Sequence, residues 1–265
     1  MKHQLLILLI FGAFLALSCE KEQIPVVENV GLPLIVKEIY SDDLFNEFTY
    51  NEQNLLVARK SKFFYTQYHY KINGQVVSYD LYEDSRVYSS NWQTAQEAFN
   101  RTDWVSPENT TISAKAYYSY ENDQIGAITV FHIPFEMANK SSFQYDDQGR
   151  IMSQVIYDSG EVTGRIEYSY DETGNVTKEE QYSSGILFAT RLYEYDNKHN
   201  PFNVFRQLLI PGIYTNRNNI IKETHIMADN GNPGMDTVQV NESVYEYNEQ
   251  GYPVTKNGVI RYEYK

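Results

Sequence analysis

The chain offers few residues whose types and spacing could support catalysis. It contains no HExxH, GxSxG, Walker or EF-hand pattern. Its acidic pairs are adjacent in sequence, and adjacent residues of a strand point to opposite faces, so the members of a pair cannot act together as acid and base. We therefore predict a protein that is not an enzyme and has no metal site and no cofactor. The pairs are Asp42-Asp43, Asp146-Asp147 and Glu179-Glu180.

Trp92 and Trp104 are the candidate ligand-binding residues. They are the only tryptophans, they lie in one segment, and indole faces stack on sugars and other flat ligands. The alternative, which is the more frequent role of such residues, is that both rings pack this segment onto the rest of the fold.

The N-terminus carries a chemical feature of another kind. Residues 5–17 form an apolar run that is too short to span a bilayer but suits a signal peptide, predicted for residues 1–18. Cys19 follows small residues and resembles the lipidated cysteine of a bacterial lipobox, although Ala16 stands where that motif usually has Leu. A plain secretory signal is the alternative. Because Cys19 is the only cysteine, it has no intramolecular disulfide partner, and we predict that residues 19–32 form a lipidated tether.

The composition excludes some partners. The net charge is −13, and a strongly acidic chain binds nucleic acid poorly because phosphate affinity comes mainly from Lys and Arg. Acidic surfaces also repel anionic membranes, so a lipid rather than the protein surface is expected to hold the chain there. The 24 Tyr and 13 Phe favour β-strands with half-buried faces.

An internal repeat organises the chain. Its pattern is aromatic-x-Tyr-Asp/Asn-x-x-Gly/Asn, and its second tyrosine recurs every 25 residues, at Tyr120, Tyr145, Tyr170 and Tyr195. The next clear copy, at Tyr247, lies 52 residues after Tyr195, which predicts a degenerate copy between them.

Each copy has the chemistry of a β-hairpin. The Asp carboxylate can accept backbone N–H groups two residues further on, and the Gly or Asn suits a positive φ, as in a type I turn with a bulge. Second turns fall midway, at 158–160 and 183–185. Pro201 is expected to end the strand before it. The predicted turn residues are Asp146, Gly149, Asp171, Gly174, Asp196, Asn200, Pro201 and Gly251.

These hairpins predict an all-β fold, an antiparallel meander forming one strongly curved or barrel-like sheet over residues 33–265. In 165–170, Ile166, Tyr168 and Tyr170 alternate with polar residues, which indicates one aromatic face. An insertion at about 89–107 has helical spacing, with Ser90 as the expected cap, and residues 205–210 indicate a second short helical turn.

The repeat resembles the YD repeat of Rhs-type proteins. The block from Tyr195 to Phe202, with Asn218-Asn219 downstream, is similar to a block in Bacteroidota lipoproteins of unknown function whose fold is described as porin-like. The resemblance implies a curved or closed antiparallel sheet and supplies no catalytic residues.

Together these features lead to a functional expectation. We expect an outer-membrane lipoprotein, facing the periplasm or the cell surface, that binds a glycan, a peptide or a partner protein without catalysis. The alternative is a structural or assembly lipoprotein of an envelope complex, and a hydrolase is the least favoured reading.

Overall fold

The structure is a computed structural model that describes residues 31–229 and 235–265. The predicted signal peptide 1–18, Cys19 and all but the last two residues of the tether lie outside the described residues. No helix in the described part of the chain is long and apolar enough to cross a membrane.

The described residues form 17 strands in one sheet, one α-helix and three 3₁₀ helices. The strands are β1 (Ile35–Ser41), β2 (Leu44–Tyr50), β3 (Leu56–Lys60), β4 (Phe64–Tyr70), β5 (Val76–Glu83), β6 (Ile112–Glu121), β7 (Gln124–His132), β8 (Met137–Tyr145), β9 (Ile151–Asp158), β10 (Glu161–Tyr170), β11 (Val176–Ser183), β12 (Ile186–Tyr195), β13 (Ile220–Met227), β14 (Thr237–Glu242), β15 (Tyr245–Tyr247), β16 (Pro253–Lys256) and β17 (Ile260–Tyr264). The helices are α1 (Trp92–Phe99) and the 3₁₀ helices Ser85–Tyr88, Ile133–Phe135 and Pro201–Leu208.

The sheet is an antiparallel meander, as predicted. Strands that follow each other in sequence pair with each other from β1 to β14, and again from β15 to β17. β17 also pairs with β1, so the last strand lies beside the first, and the sheet must curve strongly. β14 pairs with β13 and β15 pairs with β16. Since no ladder joins β14 to β15 within the described residues, the sheet is not closed.

One face of the sheet carries the aromatic residues. Ile166, Tyr168 and Tyr170 pack in one cluster with Phe143 and Tyr145, which confirms the alternation predicted from the sequence. Cross-strand neighbours continue this face around the sheet, because residues opposite each other in a ladder point to the same side.

The main core forms where the segment between β12 and β13 packs on this face. Phe205, in the 3₁₀ helix Pro201–Leu208, is fully buried. Its ring centroid lies 5.2 Å from that of Phe48 and 5.4 Å from that of Tyr214. The same cluster includes Val76 of β5 and Tyr262 of β17. Since strands from separate parts of the sheet meet around one segment, that segment lies on the concave side.

The predicted helical insertion is present between β5 and β6. Helix α1 is capped by Asn91, whose side chain accepts the N–H groups of the residues two and three positions further on, so the expectation of Ser90 as the cap is wrong. Asn91 has the extended backbone and the aligned side-chain oxygen that a cap requires. The buried carboxylate of Asp84 holds the insertion, through Arg86 at 2.7 Å and Arg101 at 3.0 Å.

Candidate functional site

The repeat turns have the predicted geometry. The carboxylate of Asp146 accepts the backbone N–H groups of the residues two and four positions further on, both at 2.9 Å, and Asp171 does the same at the same distances. Gly149, Gly174 and Gly251 have φ of +75°, +92° and +80°. The ladders shift register directly before the tyrosine of each motif, which is the expected bulge.

The turn that begins at Asp196 contains a long insertion. The N–H of Asp196 donates to the carbonyl of Asn219, and the N–H of Asn219 donates back to the Asp196 carboxylate, both at 3.1 Å. Asn219 therefore occupies the place that the residue four positions after Asp has in the preceding turns. The long spacing before Tyr247 reflects this insertion, so the prediction of a degenerate copy is wrong.

Asn200 and Pro201 have roles that differ from those predicted. The φ of Asn200 is −74°, and its side chain caps the 3₁₀ helix by accepting the N–H of Phe202 at 3.0 Å. A positive φ is wrong here because the chain continues into a helix and does not close a hairpin. Pro201 is the first helical residue, where its missing N–H costs nothing, and β12 has already ended at Tyr195.

The repeated tyrosines cap the backbone at this end of the sheet. The β9–β10 ladder ends at the pair Ser153–Glu167, two residues short of Ile151, and the Tyr170 hydroxyl donates to the Ile151 carbonyl at 2.7 Å. The side chain thus supplies a donor that the neighbouring backbone does not reach. In the described residues, eight such carbonyl-capping tyrosines occur: Tyr50 to Ile35, Tyr70 to Leu56, Tyr120 to Val76, Tyr145 to Ile125, Tyr170 to Ile151, Tyr195 to Val176, Tyr245 to Ile220 and Tyr264 to Pro253.

Burial changes the acidity of these hydroxyls. Desolvation raises the pKa of all eight carbonyl-capping tyrosines above the ordinary value, to about 12 for Tyr120 and Tyr245. They stay neutral donors at physiological pH and keep their hydrogen bonds to the carbonyls.

Asparagine side chains fix the 199–219 segment, the insertion in the Asp196 turn, to the sheet. The amide oxygen of fully buried Asn216 accepts the N–H of Val176 in β11 at 2.9 Å. The side-chain amide of Asn203 donates to three successive carbonyls, those of residues 214–216, at 3.0 to 3.2 Å. Asn175, in the turn before β11, accepts the N–H of Arg217 at 2.8 Å. The insertion is therefore attached rigidly to the turns beside it.

An open cavity lies where the 199–219 segment meets two repeat turns. Its volume is about 620 Å³, within the range of small-ligand sites. The turns that begin at Asp146 and Asp171 contribute Gly149 and Gly174, and the insertion contributes Asn203 and Leu209. Two of the predicted turn residues, Gly149 and Gly174, thus meet at this site, whereas the other six do not line it.

The cavity is lined by three arginines and one acid, in a chain of net charge −13. Arg150 is paired with Asp146 at 2.7 Å. Arg206 and Arg217 lie within 4 Å of no carboxylate of the described residues. Burial is the larger cause, and the charge of Arg217 the smaller one, that lowers the pKa of Arg206 below its ordinary value. The arginines outnumber the fourth charged residue, Glu172, so the lining keeps a net positive charge. Such a lining suits ligands that carry hydrogen-bond acceptors or negative charge.

The two tryptophans do not line this cavity. Trp92 is the first residue of α1, and 76% of its surface is exposed. The Trp104 ring packs on Phe45, with centroids 4.3 Å apart, and the Lys60 ammonium lies 5.5 Å from its centre. Trp104 thus packs the helical insertion between β5 and β6 onto the sheet, whereas the Trp92 side chain is exposed.

The adjacent acidic residues of β11 have different partners. Glu179 is buried beside Arg191, at 3.3 Å, whereas Glu180 pairs with Lys178 at 2.8 Å, which confirms that these adjacent residues serve different faces. Within the described ranges, no group of three or more His, Cys, Asp or Glu residues could hold a metal ion.

Arg206 and Arg217 were not among the site residues predicted from the sequence. A signal was present, since residues 199–219 contain these two arginines and no Asp or Glu, in a strongly acidic chain. Local charge balance could have marked the segment, but only the tertiary structure places it against the repeat turns.

The architecture defines an all-β protein built as one curved antiparallel meander. A porin-like protein from Bacteroides uniformis has a similar structure, with a TM-score of 0.52 and 11% identity, over 88% of this chain and 97% of that chain. The porin-like fold expected from the sequence is thereby confirmed. A TcdB2-TccC3 structure aligns with 78% of this chain and 10% of that chain, at 14% identity, with a TM-score of 0.29, which is too low to show a shared fold. No family model and no curated protein matches the chain.

Proposed function

We propose that this protein is a non-catalytic binding module of the bacterial cell envelope, and that the cavity between the repeat turns and the 199–219 segment holds its ligand. The observation that carries the proposal is the cavity itself, about 620 Å³ and lined from three separate parts of the chain. Ligand sites are typically largely preformed, and the asparagine contacts of the insertion provide that rigidity. A glycan fragment or a peptide matches the polar lining.

The binding proposal is tested with a pair of variants at one repeat position. Gln148 is exposed and lines the cavity, and Gln250 occupies the equivalent place in the turn that begins at Asn248. The full-length chain in detergent is screened by thermal shift against oligosaccharides, peptidoglycan fragments and peptides. A ligand at 100 times its Kd adds about 2.7 kcal/mol of stability. We expect Gln148→Trp to abolish a hit and Gln250→Trp to leave it; a hit that survives Gln148→Trp would exclude this cavity.

The envelope location is the second part of the proposal. The signal-like residues 1–18 and the lipobox-like Cys19 support an outer-membrane lipoprotein that faces the periplasm or the cell surface. The porin-like fold and the Tyr-Asp turns support membership of the YD-repeat-like Bacteroidota lipoproteins. We expect Cys19→Ala to release the chain from membranes into the soluble fraction, because acyl chains supply the anchor. Full membrane retention of this variant would contradict lipidation.

A structural or assembly role is the second candidate, and β14 is the observation that favours it. All six residues of this strand are exposed, including Val238 and Val240, and among the described residues it pairs only with β13. An exposed edge strand is a template for pairing with another chain. Co-purification of a partner protein that is lost in Val240→Pro, together with a blank ligand screen, would favour this role.

A further inference from the structure

The positive charge of the cavity lining is not balanced by carboxylates of the described residues. Arg150, which also lines it, has a carboxylate partner in Asp146 and lies over the Tyr170 ring, 4.7 Å from its centre. Arg206 and Arg217 have no such partner among residues 31–229 and 235–265. Among the described residues, the Arg206 guanidinium donates a single long hydrogen bond, 3.4 Å, to the Asn203 carbonyl.

The backbones of both arginines are anchored, although the Arg217 side chain itself is exposed. The N–H of Arg217 donates to the Asn175 side chain at 2.8 Å, and its carbonyl accepts the N–H of Asn200 at 2.9 Å. Arg206 lies in the 3₁₀ helix that is anchored by Phe205, which is fully buried. Arg206 and Arg217 line the same cavity, and the charge of Arg217 acts on Arg206, so an anion that contacts both guanidinium groups relieves their repulsion.

The geometry points to the chemical class of the ligand. We propose that Arg206 and Arg217 bind an oxyanion group, a carboxylate or a phosphate, of the molecule that occupies the cavity; this inference rests on the proposed binding function. The planar guanidinium presents paired N–H donors that match the oxygens of such groups. Glu172, on the same lining, opposes the anion and limits its affinity.

The proposal is tested by titrating the full-length chain in detergent with three probes at low ionic strength. Inorganic phosphate and galacturonate supply the two oxyanions, and galactose is the neutral counterpart of galacturonate. Calorimetry is expected to show binding of at least one oxyanion and much weaker binding of galactose. The oxyanion that binds with the higher affinity identifies the preferred group. Added sodium chloride should weaken its binding, because salt screens the charges.

Variants locate the binding. We expect Arg206→Gln and Arg217→Gln each to weaken oxyanion binding about tenfold or more, the size expected for one charge-assisted hydrogen bond. Arg261→Gln, an exposed arginine of β17 paired with Asp42, is the matched control and should change nothing. Glu172→Gln should strengthen binding.

Two outcomes would overturn the inference. One is that neither oxyanion binds, and the other is that binding is unchanged in both cavity variants. The proposed function fails separately: a neutral ligand that is lost in Gln148→Trp but unaffected by Arg206→Gln and Arg217→Gln would retain the cavity as a binding site and exclude oxyanion recognition.

Discussion

Alkaline pH should unfold this protein abruptly, because its carbonyl-capping tyrosines must stay protonated. Burial raises the pKa of all eight in the folded state above the unfolded value of about 10. A group whose folded pKa is raised contributes stability that is complete below the unfolded pKa and is lost as the pH rises toward the folded pKa. Each tyrosine then removes about 1.4 kcal/mol per pH unit above pH 10, and eight remove about 11 kcal/mol per unit.

This slope predicts where the transition lies. A domain stability of about 5–15 kcal/mol would be exhausted between about pH 10 and pH 11.5. The assay follows tyrosinate absorbance and far-ultraviolet circular dichroism together during a pH titration. We expect the exposed tyrosines to ionise gradually and the buried ones to ionise in one steep step, at the pH where the strand signal is lost. Ionisation of all 24 tyrosines while the strand signal stays intact would refute the assignment of these hydroxyls as buried donors.

Three further perturbations test separate parts of the structure. Tyr170→Phe leaves the Ile151 carbonyl without this donor and should lower the free energy of unfolding in urea by about 1–2 kcal/mol. Tyr117 is 49% exposed, so Tyr117→Phe should cost almost nothing. Equal unfolding midpoints of the two variants would contradict the capping role. Gly174→Val should cost about 1–2 kcal/mol because φ is +92°, and Gly174→Asn much less, since Asn tolerates this region; equal melting temperatures would exclude strain at this turn. The hydrogen bond from Arg86 is the first cause that lowers the pKa of Asp84, so its stabilisation is present above about pH 4 and lost as the pH falls through the lower folded value. Asp84→Asn should therefore cost about 3 kcal/mol at pH 7 and flatten the stability profile below pH 4, and an unchanged acid profile would contradict this pairing.

Much of the fold was predictable because its determinants are local. The Asp of each motif accepts backbone N–H groups within its own turn, and Gly149 and Gly174 meet a local demand for positive φ. Two-residue alternation set the faces of β8 and β10. Wherever the repeat was intact, local chemistry was enough to predict the hairpin.

The predictions failed where a contact distant in sequence replaced a local one. Asn200 stands where a turn residue is expected, but Asn219 completes that turn and leaves Asn200 to cap a helix. The candidate site shows the same limit. Trp104 was chosen for its ring chemistry and packs on Phe45, while Arg206 was not noticed because no motif surrounds it.

The sequence by itself determined the strand and turn pattern, the aromatic face, the acidic character of the chain and the candidate lipid anchor, because each depends on residue type and short spacing. Only the tertiary structure decided that β17 lies beside β1 and that the 199–219 segment packs into the concave face. It also decided that two arginines, which have no carboxylate partner in the described part of the chain, meet the repeat turns at a cavity. The physical reason is that these features depend on the curvature of the whole sheet, which accumulates over all its strands and is not encoded in any one of them.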